Sequence, residues 1–206
     1  MTFSKIYILF GSKDIRIDLV EPNSTQNLKL DHNTVRRVGN IARKCSDFLY
    51  ANGNVPMEDL EVMSVVMEEF VDRFHHGKEE SAYFPEAKVR DYSEDVRKFL
   101  IEHELGRRIA RMFLAQVREW KAGVDAREPV ARFLKAYSVF VSDHTGKEDS
   151  FFDKVEARMS IPPDIDERLL AHYETCKREI GGPERVEQLI RLIGYLEERP
   201  WMKDPN

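Results

Sequence analysis

The stretch FHHGKEESAYF, residues 74–84, contains a histidine and a glutamate four residues apart, His75 and Glu79. The surrounding hydrophobic pattern predicts a helix, in which a spacing of four residues places two side chains on the same face. An imidazole nitrogen beside a carboxylate suits iron, manganese or zinc better than calcium. The stretch therefore predicts part of a metal site.

The same pattern occurs a second time, as HTGKEDSFF at residues 144–152. Aligning the two Gly-Lys-Glu triplets pairs His75 with His144. It also pairs Glu79 with Glu148. Each copy therefore offers one histidine and one glutamate at the same spacing.

A further repeated motif precedes each copy, DHNTVRRV at residues 31–38 and EHELGRRI at residues 102–109. It pairs His32 with His103, which are 71 residues apart, whereas the histidines of the first motif are 69 residues apart. Because the two offsets agree closely, we interpret the chain as one two-helix unit used twice.

The composition is that of an ordinary globular protein. Of the 206 residues, 33% are charged and 42% are hydrophobic, which is enough for one domain with a substantial core. The net charge of −5 and the pI of about 5.8 argue against nucleic acid or a membrane as partner. No secretory signal and no run of about 18 apolar residues occurs, so we expect a cytoplasmic protein.

The remaining histidine and the cysteines carry no motif. Cys45 and Cys176 are far apart and form no CxxC pair, so we expect two small buried side chains rather than a disulfide or a thiolate zinc site. His172 lies outside the repeats, and we expect an exposed or hydrogen-bonded residue without a metal role.

Hydrophobic periodicity predicts four long helices and two shorter ones. Their expected bounds are residues 26–50, 56–83, 93–121, 129–159, 164–180 and 183–198, with Pro85 ending the second helix. We predict an all-α fold: an up-down-up-down four-helix bundle over residues 27–159 and a C-terminal helical cap over 160–206. Residues 1–26 form an extension with a β-hairpin pattern, which either packs on the bundle or mediates a homodimer.

The positions of the histidines are consistent with this topology. In an antiparallel hairpin, residues at one height are equally far from the turn. The midpoint of His32 and His75 falls in the predicted first turn, and the midpoint of His103 and His144 falls in the predicted third turn. Pairing the two hairpins therefore brings four imidazoles and both glutamates into one layer.

Six such side chains match two divalent metal ions, each bound by two histidines and bridged by two carboxylates. Ligand softness and geometry favour two iron ions, with manganese and zinc as the alternatives. A single histidine on an apolar helix face is usually a satisfied core residue, but four of them at one height favour a metal site. The predicted ligands are His32, His75, Glu79, His103, His144 and Glu148.

These residues resemble the hemerythrin-like, or HHE cation-binding, family over roughly residues 28–159. The matching pieces are Asp31-His32, His75-xxx-Glu79 with Phe84-Pro85, Glu102-His103 and His144-xxx-Glu148. The resemblance implies a four-helix bundle with a non-haem di-iron centre. It further implies that His32 and His75 bind one iron, that His103 and His144 bind the other, and that both glutamates bridge them.

Two features depart from the oxygen-carrying members of that family. Those proteins have a fifth histidine one turn after the ligand of the third helix, where this chain has Arg107. The carboxylate of the fourth helix is a glutamate at the fourth position after the histidine, not an aspartate at the fifth. The set is more similar to iron-sulfur-cluster repair proteins, but their cysteine-bearing N-terminal segment does not occur in this sequence.

His76 and Glu80 form a second pair at the same spacing, rotated by about 100° around an α-helix. The repeat favours His75 and Glu79 as ligands instead, because Thr145 occupies the position that matches His76. We therefore expect His76 to lie next to the predicted ligands without being one of them.

Other side chains near the ligands have open roles. Tyr83 is either an additional ligand, a hydrogen-bond donor to a bound oxygen species, or a core aromatic residue. Arg36 and Arg107, with Asp31 and Glu102, either orient the ligands or form surface ion pairs. Gly77 and Gly146 indicate close helix approach or access for a small ligand.

Three classes of function are compatible with such a centre. The first is a di-iron protein that binds or senses O2, NO or peroxide. The second is an enzyme that consumes peroxide or oxidises iron, or an iron donor in cluster repair. The third is a metal-stabilised scaffold. Whether the protein is an enzyme is left open by the sequence.

Overall fold

The computed structural model describes residues 22–89, 91–158 and 161–203. Within these ranges the chain is almost entirely helical and contains no strand, which confirms the all-α prediction. The β-hairpin pattern of residues 5–20 lies outside the described residues. No helix in the described ranges is long and apolar enough to cross a lipid bilayer.

Four long helices form the bundle. The first is α1 (Ser24–Tyr50), the third is α4 (Ser93–Lys121) and the fourth is α5 (Arg127–Arg158). The second is continuous but irregular, and its segments are α2 (Met57–Val65), π1 (Val66–His76), π2 (Glu79–Tyr83) and α3 (Phe84–Val89). The chain continues with α6 (Pro163–Glu179), α7 (Pro183–Glu197) and a 3-10 turn, Pro200–Met202.

The second bundle helix extends beyond its predicted end. It continues to Val89 instead of ending before Pro85. Proline is tolerated in the first turn of an α-helical segment, and the change from π-helical to α-helical structure at Phe84 places Pro85 in such a turn.

Two glycines allow the helices to approach closely. A Cβ atom on Gly39 of α1 would lie 2.8 Å from Val141 of α5, and one on Gly106 of α4 would lie 2.5 Å from the ring of Phe140. Nothing lies within 4 Å of a Cβ atom placed on Gly77 or Gly146. Close helix approach therefore does not explain those two glycines.

The bundle contains two apolar clusters separated by a polar layer. The cluster at the loop end of the two hairpins includes Leu49, Leu60, Phe113 and Leu134. The other cluster includes Leu28, Phe84, Val96, Phe152 and Val155. On each bundle helix the predicted ligands lie between the residues of one cluster and those of the other. The fold therefore places these ligands at one height.

The C-terminal helices are attached to the bundle by a buried carboxylate. Asp59 of α2 is fully buried and accepts hydrogen bonds from the hydroxyl of Tyr195 at 2.8 Å, Nε of Arg199 at 3.0 Å and Nε1 of Trp201 at 2.8 Å. Three donors satisfy the oxygens that burial removes from water. Asp59 thereby fixes α7 and the 3-10 turn against the second bundle helix.

Candidate metal centre

The polar layer contains two groups of buried side chains with converging donor atoms. In the first group, one donor atom of each residue lies within 4.8 Å of the others, and its members are His32, His75, Glu79 and Glu148. In the second group the same limit holds, and its members are His76, His103 and His144. All six ligands predicted from the sequence thus lie in this layer, and His76 joins them.

The two glutamates lie between the groups. Glu148 is 3.3 Å from Nε2 of His32, 3.2 Å from Nε2 of His103 and 3.1 Å from Nε2 of His144. Glu79 is 3.5 Å from the Nε2 atoms of both His75 and His103. Both carboxylates therefore face histidines of both groups, as two bridging ligands would.

Carboxylates outside the layer orient the rings. The Nδ1 atom of His32 donates to Asp149 at 2.8 Å, and that of His103 donates to Glu80 at 2.7 Å. The Nδ1 atom of His144 donates to Glu102 at 2.8 Å. A hydrogen bond to Nδ1 fixes the tautomer that leaves Nε2 unprotonated and available to a metal ion. His75 has a looser arrangement, with Asp31 3.5 Å from its Nδ1 atom.

Basic side chains hold these carboxylates in turn. Arg36 donates to Asp149, and Arg107 donates to Glu80 at 2.7 Å. Lys78 donates to Asp31 at 2.7 Å, and Lys147 donates to Glu102 at 2.9 Å. Each cation compensates a carboxylate that would otherwise repel a ligand glutamate. Arg36 and Arg107 therefore act on the histidines through a carboxylate, not by direct contact.

His76 lies at the end of π1, which is wound more loosely than an α-helix. A π-helix has about 4.4 residues per turn, so consecutive side chains are separated by about 80° instead of 100°. His75 and His76 end π1 and are both buried. The ring of His76 stacks on that of His103, with centroids 3.8 Å apart. The repeat alignment, in which Thr145 matches His76, left His76 out of the predicted ligands. The adjacent pair of histidines was the signal that this alignment discounted.

Tyr83 and the two cysteines are buried in the protein interior. The hydroxyl of Tyr83 lies 3.2 Å from that of Thr25, and its ring packs against Phe152. This contact matches the reading of Tyr83 as a core aromatic residue. Cys45 and Cys176 are buried free thiols, as expected. His172 is exposed, and its Nε2 atom lies 3.0 Å from the hydroxyl of Ser81.

The donor atoms of the layer fit metal ions. Buried atoms without a hydrogen-bond partner among the described residues include Nε2 of His32, His75 and His144, both carboxylate oxygens of Glu79, and Oε2 of Glu148. Unpaired buried polar atoms are costly and rare, and here they converge on one place. Coordination to metal ions would satisfy them.

The charges in the layer lead to the same conclusion. Burial and the neighbouring charge of Glu79 raise the pKa of Glu148 well above its usual range. Burial also opposes ionisation of Glu79, but the charges of His75 and His32 outweigh it and lower the pKa of that carboxyl. Two carboxylates this close cannot both ionise at low cost without positive charge between them. Divalent cations would supply that charge.

A four-helix bundle with a buried histidine and carboxylate layer defines a class of metal-binding proteins. A family model described as hemerythrin HHE cation binding domain matches residues 23–155. The chain therefore belongs to the hemerythrin HHE cation-binding family. Comparisons with curated proteins and with solved structures gave no match. The matched region ends within α5, so α6 and α7 lie outside it.

Proposed function

We propose that the protein binds or senses O2, NO or peroxide at a carboxylate-bridged di-iron centre. The observation that carries this proposal is the unequal division of five histidines around two shared glutamates. Imidazole and carboxylate donors together favour iron, with manganese and zinc as alternatives. Reduced iron in such a site can bind small oxidants or NO and exchange electrons with them.

The unequal division distinguishes the two positions. His76, His103 and His144 serve one position, and His32 and His75 serve the other. With both glutamates shared, the chain offers one fewer ligand at the His32 position. A ligand from outside the protein is therefore expected to bind on that side.

This arrangement bears on the comparison with oxygen carriers. The sequence lacks a histidine at Arg107, which argued against a set of five. His76 supplies a fifth histidine from the second bundle helix instead. The number of histidines therefore no longer departs from that of the oxygen carriers, whereas the glutamate four residues after His144 remains a departure.

Aromatic side chains limit the access of water to the centre. Phe152 stacks on His32 with centroids 5.6 Å apart, Phe84 stacks on His103 at 5.6 Å, and Phe140 stacks on His144 at 5.0 Å. A dry environment strengthens the electrostatic interactions within the site and protects reactive species from side reactions. A centre surrounded by these three aromatic rings is therefore suited to a small, weakly polar ligand.

Metal analysis and spectroscopy test the proposal. The protein is purified without oxygen, its metals are counted, and the reduced form is exposed separately to O2, NO and hydrogen peroxide. We expect about two iron ions per chain and new visible absorption bands with at least one of these ligands. One zinc ion or none, with no spectral response, would refute the proposal.

Two variants control the experiment. His103→Gln removes a fully buried member of the centre and is expected to abolish the response. His172→Gln changes an exposed histidine on α6 and is expected to preserve it. Rapid catalytic consumption of peroxide would favour an enzyme over a sensor, and a full metal content without any ligand response would favour a scaffold.

A further inference from the structure

A cavity of about 350 Å³ lies beside the metal centre, between π1, α4 and α5. Its wall is largely apolar and includes Met67, Val71, Ala110, Leu114, Tyr137 and Phe140. Its floor includes the buried His76. The exposed side chains Glu68, Arg111 and Arg118 also line it, so the cavity opens to solvent. This volume lies near the lower end of the range of about 300–1,000 Å³ for small-molecule sites.

A polar group on the wall has no partner among the described residues. Tyr137 is only 2% exposed, and its hydroxyl makes no hydrogen bond to any described residue. This hydroxyl is not one of the fully enclosed unpaired atoms, so it is open to a molecule in the cavity. Burial and the charge of Asp72 raise the pKa of Tyr137, so this hydroxyl remains a donor. The cavity is therefore better described as a binding site than as a packing defect.

Two charged side chains near the opening, Arg118 and Glu68, make no ion pair within the described part of the chain. The lining contains three guanidinium groups and two carboxylates, contributed by Arg107, Arg111, Arg118, Glu68 and Asp72. Arg107 is paired with Asp72 and Glu80, and Arg111 is paired with Glu104. Arg118 forms no ion pair within the described part of the chain. Its guanidinium is therefore available to a ligand carboxylate.

We propose that this cavity binds a small organic anion with an apolar body, such as a medium-chain carboxylate. The charged group binds at Arg118, and the apolar part lies against the wall formed by Val71, Ala110 and Leu114. His76, whose donor atoms converge with those of His103 and His144, lines the same cavity. This site does not depend on which metal the centre holds or on whether it binds a gas.

Calorimetric titration of the metal-containing protein tests the site. Hexanoate is compared with acetate, which has the same charged group without the apolar body, and with hexanamide, which has the body without the charge. We expect one hexanoate per chain, bound at least ten times more tightly than either comparison compound. Equal binding of hexanoate and acetate, or no binding of hexanoate, would overturn the proposal.

Matched variants on α4 locate the binding. Ala110→Phe fills the cavity and is expected to weaken hexanoate binding at least tenfold, whereas Ala115→Phe, at an exposed position, leaves it unchanged. Arg118→Gln is expected to weaken hexanoate but not hexanamide, and Arg97→Gln serves as its exposed control. Helix content and metal content verify the fold of each variant, and Ala110→Leu replaces Ala110→Phe if the latter unfolds. Hexanoate binding unaffected by filling the cavity or by Arg118→Gln would overturn the assignment.

Discussion

The first hairpin of the bundle, α1 with the second bundle helix, and the second hairpin, α4 with α5, share one plan. His32 of the first donates to Asp149 of the second, and His103 of the second donates to Glu80 of the first. Each acceptor directly follows a ligand glutamate in the sequence. The two hairpins therefore make equivalent hydrogen bonds, and in each case the accepting carboxylate belongs to the other hairpin.

The hairpins differ in the winding of one helix. The second helix of the first hairpin is π-helical where it passes the centre, whereas α5 is α-helical throughout. The position of His76 is occupied in α5 by Thr145, whose hydroxyl donates to the carbonyl of Val141 at 2.9 Å. One hairpin thus brings an additional buried histidine to the polar layer without an insertion in the sequence. The two groups of potential metal-binding side chains therefore differ, although the hairpins follow one plan.

The largest effect is expected from the glutamates that the hairpins share equally. Glu79→Gln and Glu148→Gln each replace a buried carboxylate with a neutral amide, and each is expected to lower the metal content from about two ions per chain to less than about one-half. Elemental analysis measures this, with the exposed Glu119→Gln as control. A variant that retained both ions would contradict a bridging role.

The next largest effect compares the two lysines of the repeat. Lys78 is buried, and its Nζ atom bonds to Asp31 and Asn27, whereas the side chain of Lys147 is 47% exposed. Lys78→Met leaves Asp31 with only its longer contact to His75 and is expected to lower the free energy of unfolding by about 3–5 kcal/mol. Lys147→Met is expected to cost about 1 kcal/mol or less. Urea unfolding of the metal-free proteins checks this, and equal losses would show that burial of Lys78 is unimportant.

A substitution in π1 can make the hairpins alike. His76→Thr copies Thr145 and removes the third histidine from its group. We expect the affinity for the second metal ion to fall at least about tenfold, because even residues that only orient ligands have effects of this size. Competition with a chelator measures the affinity, and His172→Thr is the control. An unchanged affinity would mean that His76 lies near the metal without binding it.

The smallest expected effect is the release of a proton when a metal ion binds. Burial lowers the pKa of His32, but the hydrogen bond to Asp149 and the nearby carboxylates of Glu148 and Glu79 outweigh it and raise the pKa to about 11. Burial and neighbouring histidines lower the pKa of His103 instead. At neutral pH, metal binding should therefore displace a proton from His32 but not from His103.

The apparent metal affinity should consequently rise by roughly tenfold per pH unit for each proton released. In the metal-free protein, the raised pKa stabilises the fold below the unfolded value near 6.5, and this contribution is lost as the pH rises through about 11. Calorimetry in buffers of different ionisation enthalpy counts the released protons. Metal binding without proton release would contradict the predicted charge of His32.

Much of the architecture could be predicted because the repeat and the turns constrain each other. The midpoints of the histidine pairs placed His32, His75, His103 and His144 at one height, and the bundle is confirmed. The carboxylates that orient the histidines could not all be assigned, because their contacts cross between hairpins. Glu80 was noted only for its spacing of four residues from His76, but it accepts the hydrogen bond of His103.

The π-helical winding could not be predicted for a physical reason. Met67, Val71 and His75 follow one another at intervals of four residues. This spacing keeps them on one buried face in an α-helix and also in a π-helix, because a buried face is broad. Only the tertiary packing distinguishes them, and the side chain most affected is His76. The prediction was therefore least accurate where the helix departs from regular geometry.

The separation of the two apolar clusters has a consequence for cooperativity. Without metal ions, the loop end and the open end of the bundle are joined through a layer of buried charges and unpaired polar atoms. Such a layer transmits little stabilisation, so either end can open while the other remains folded. Bound metal ions join all four helices at this height and couple the ends into one folding unit. Metal loading would thus determine whether the bundle melts in one transition or in two.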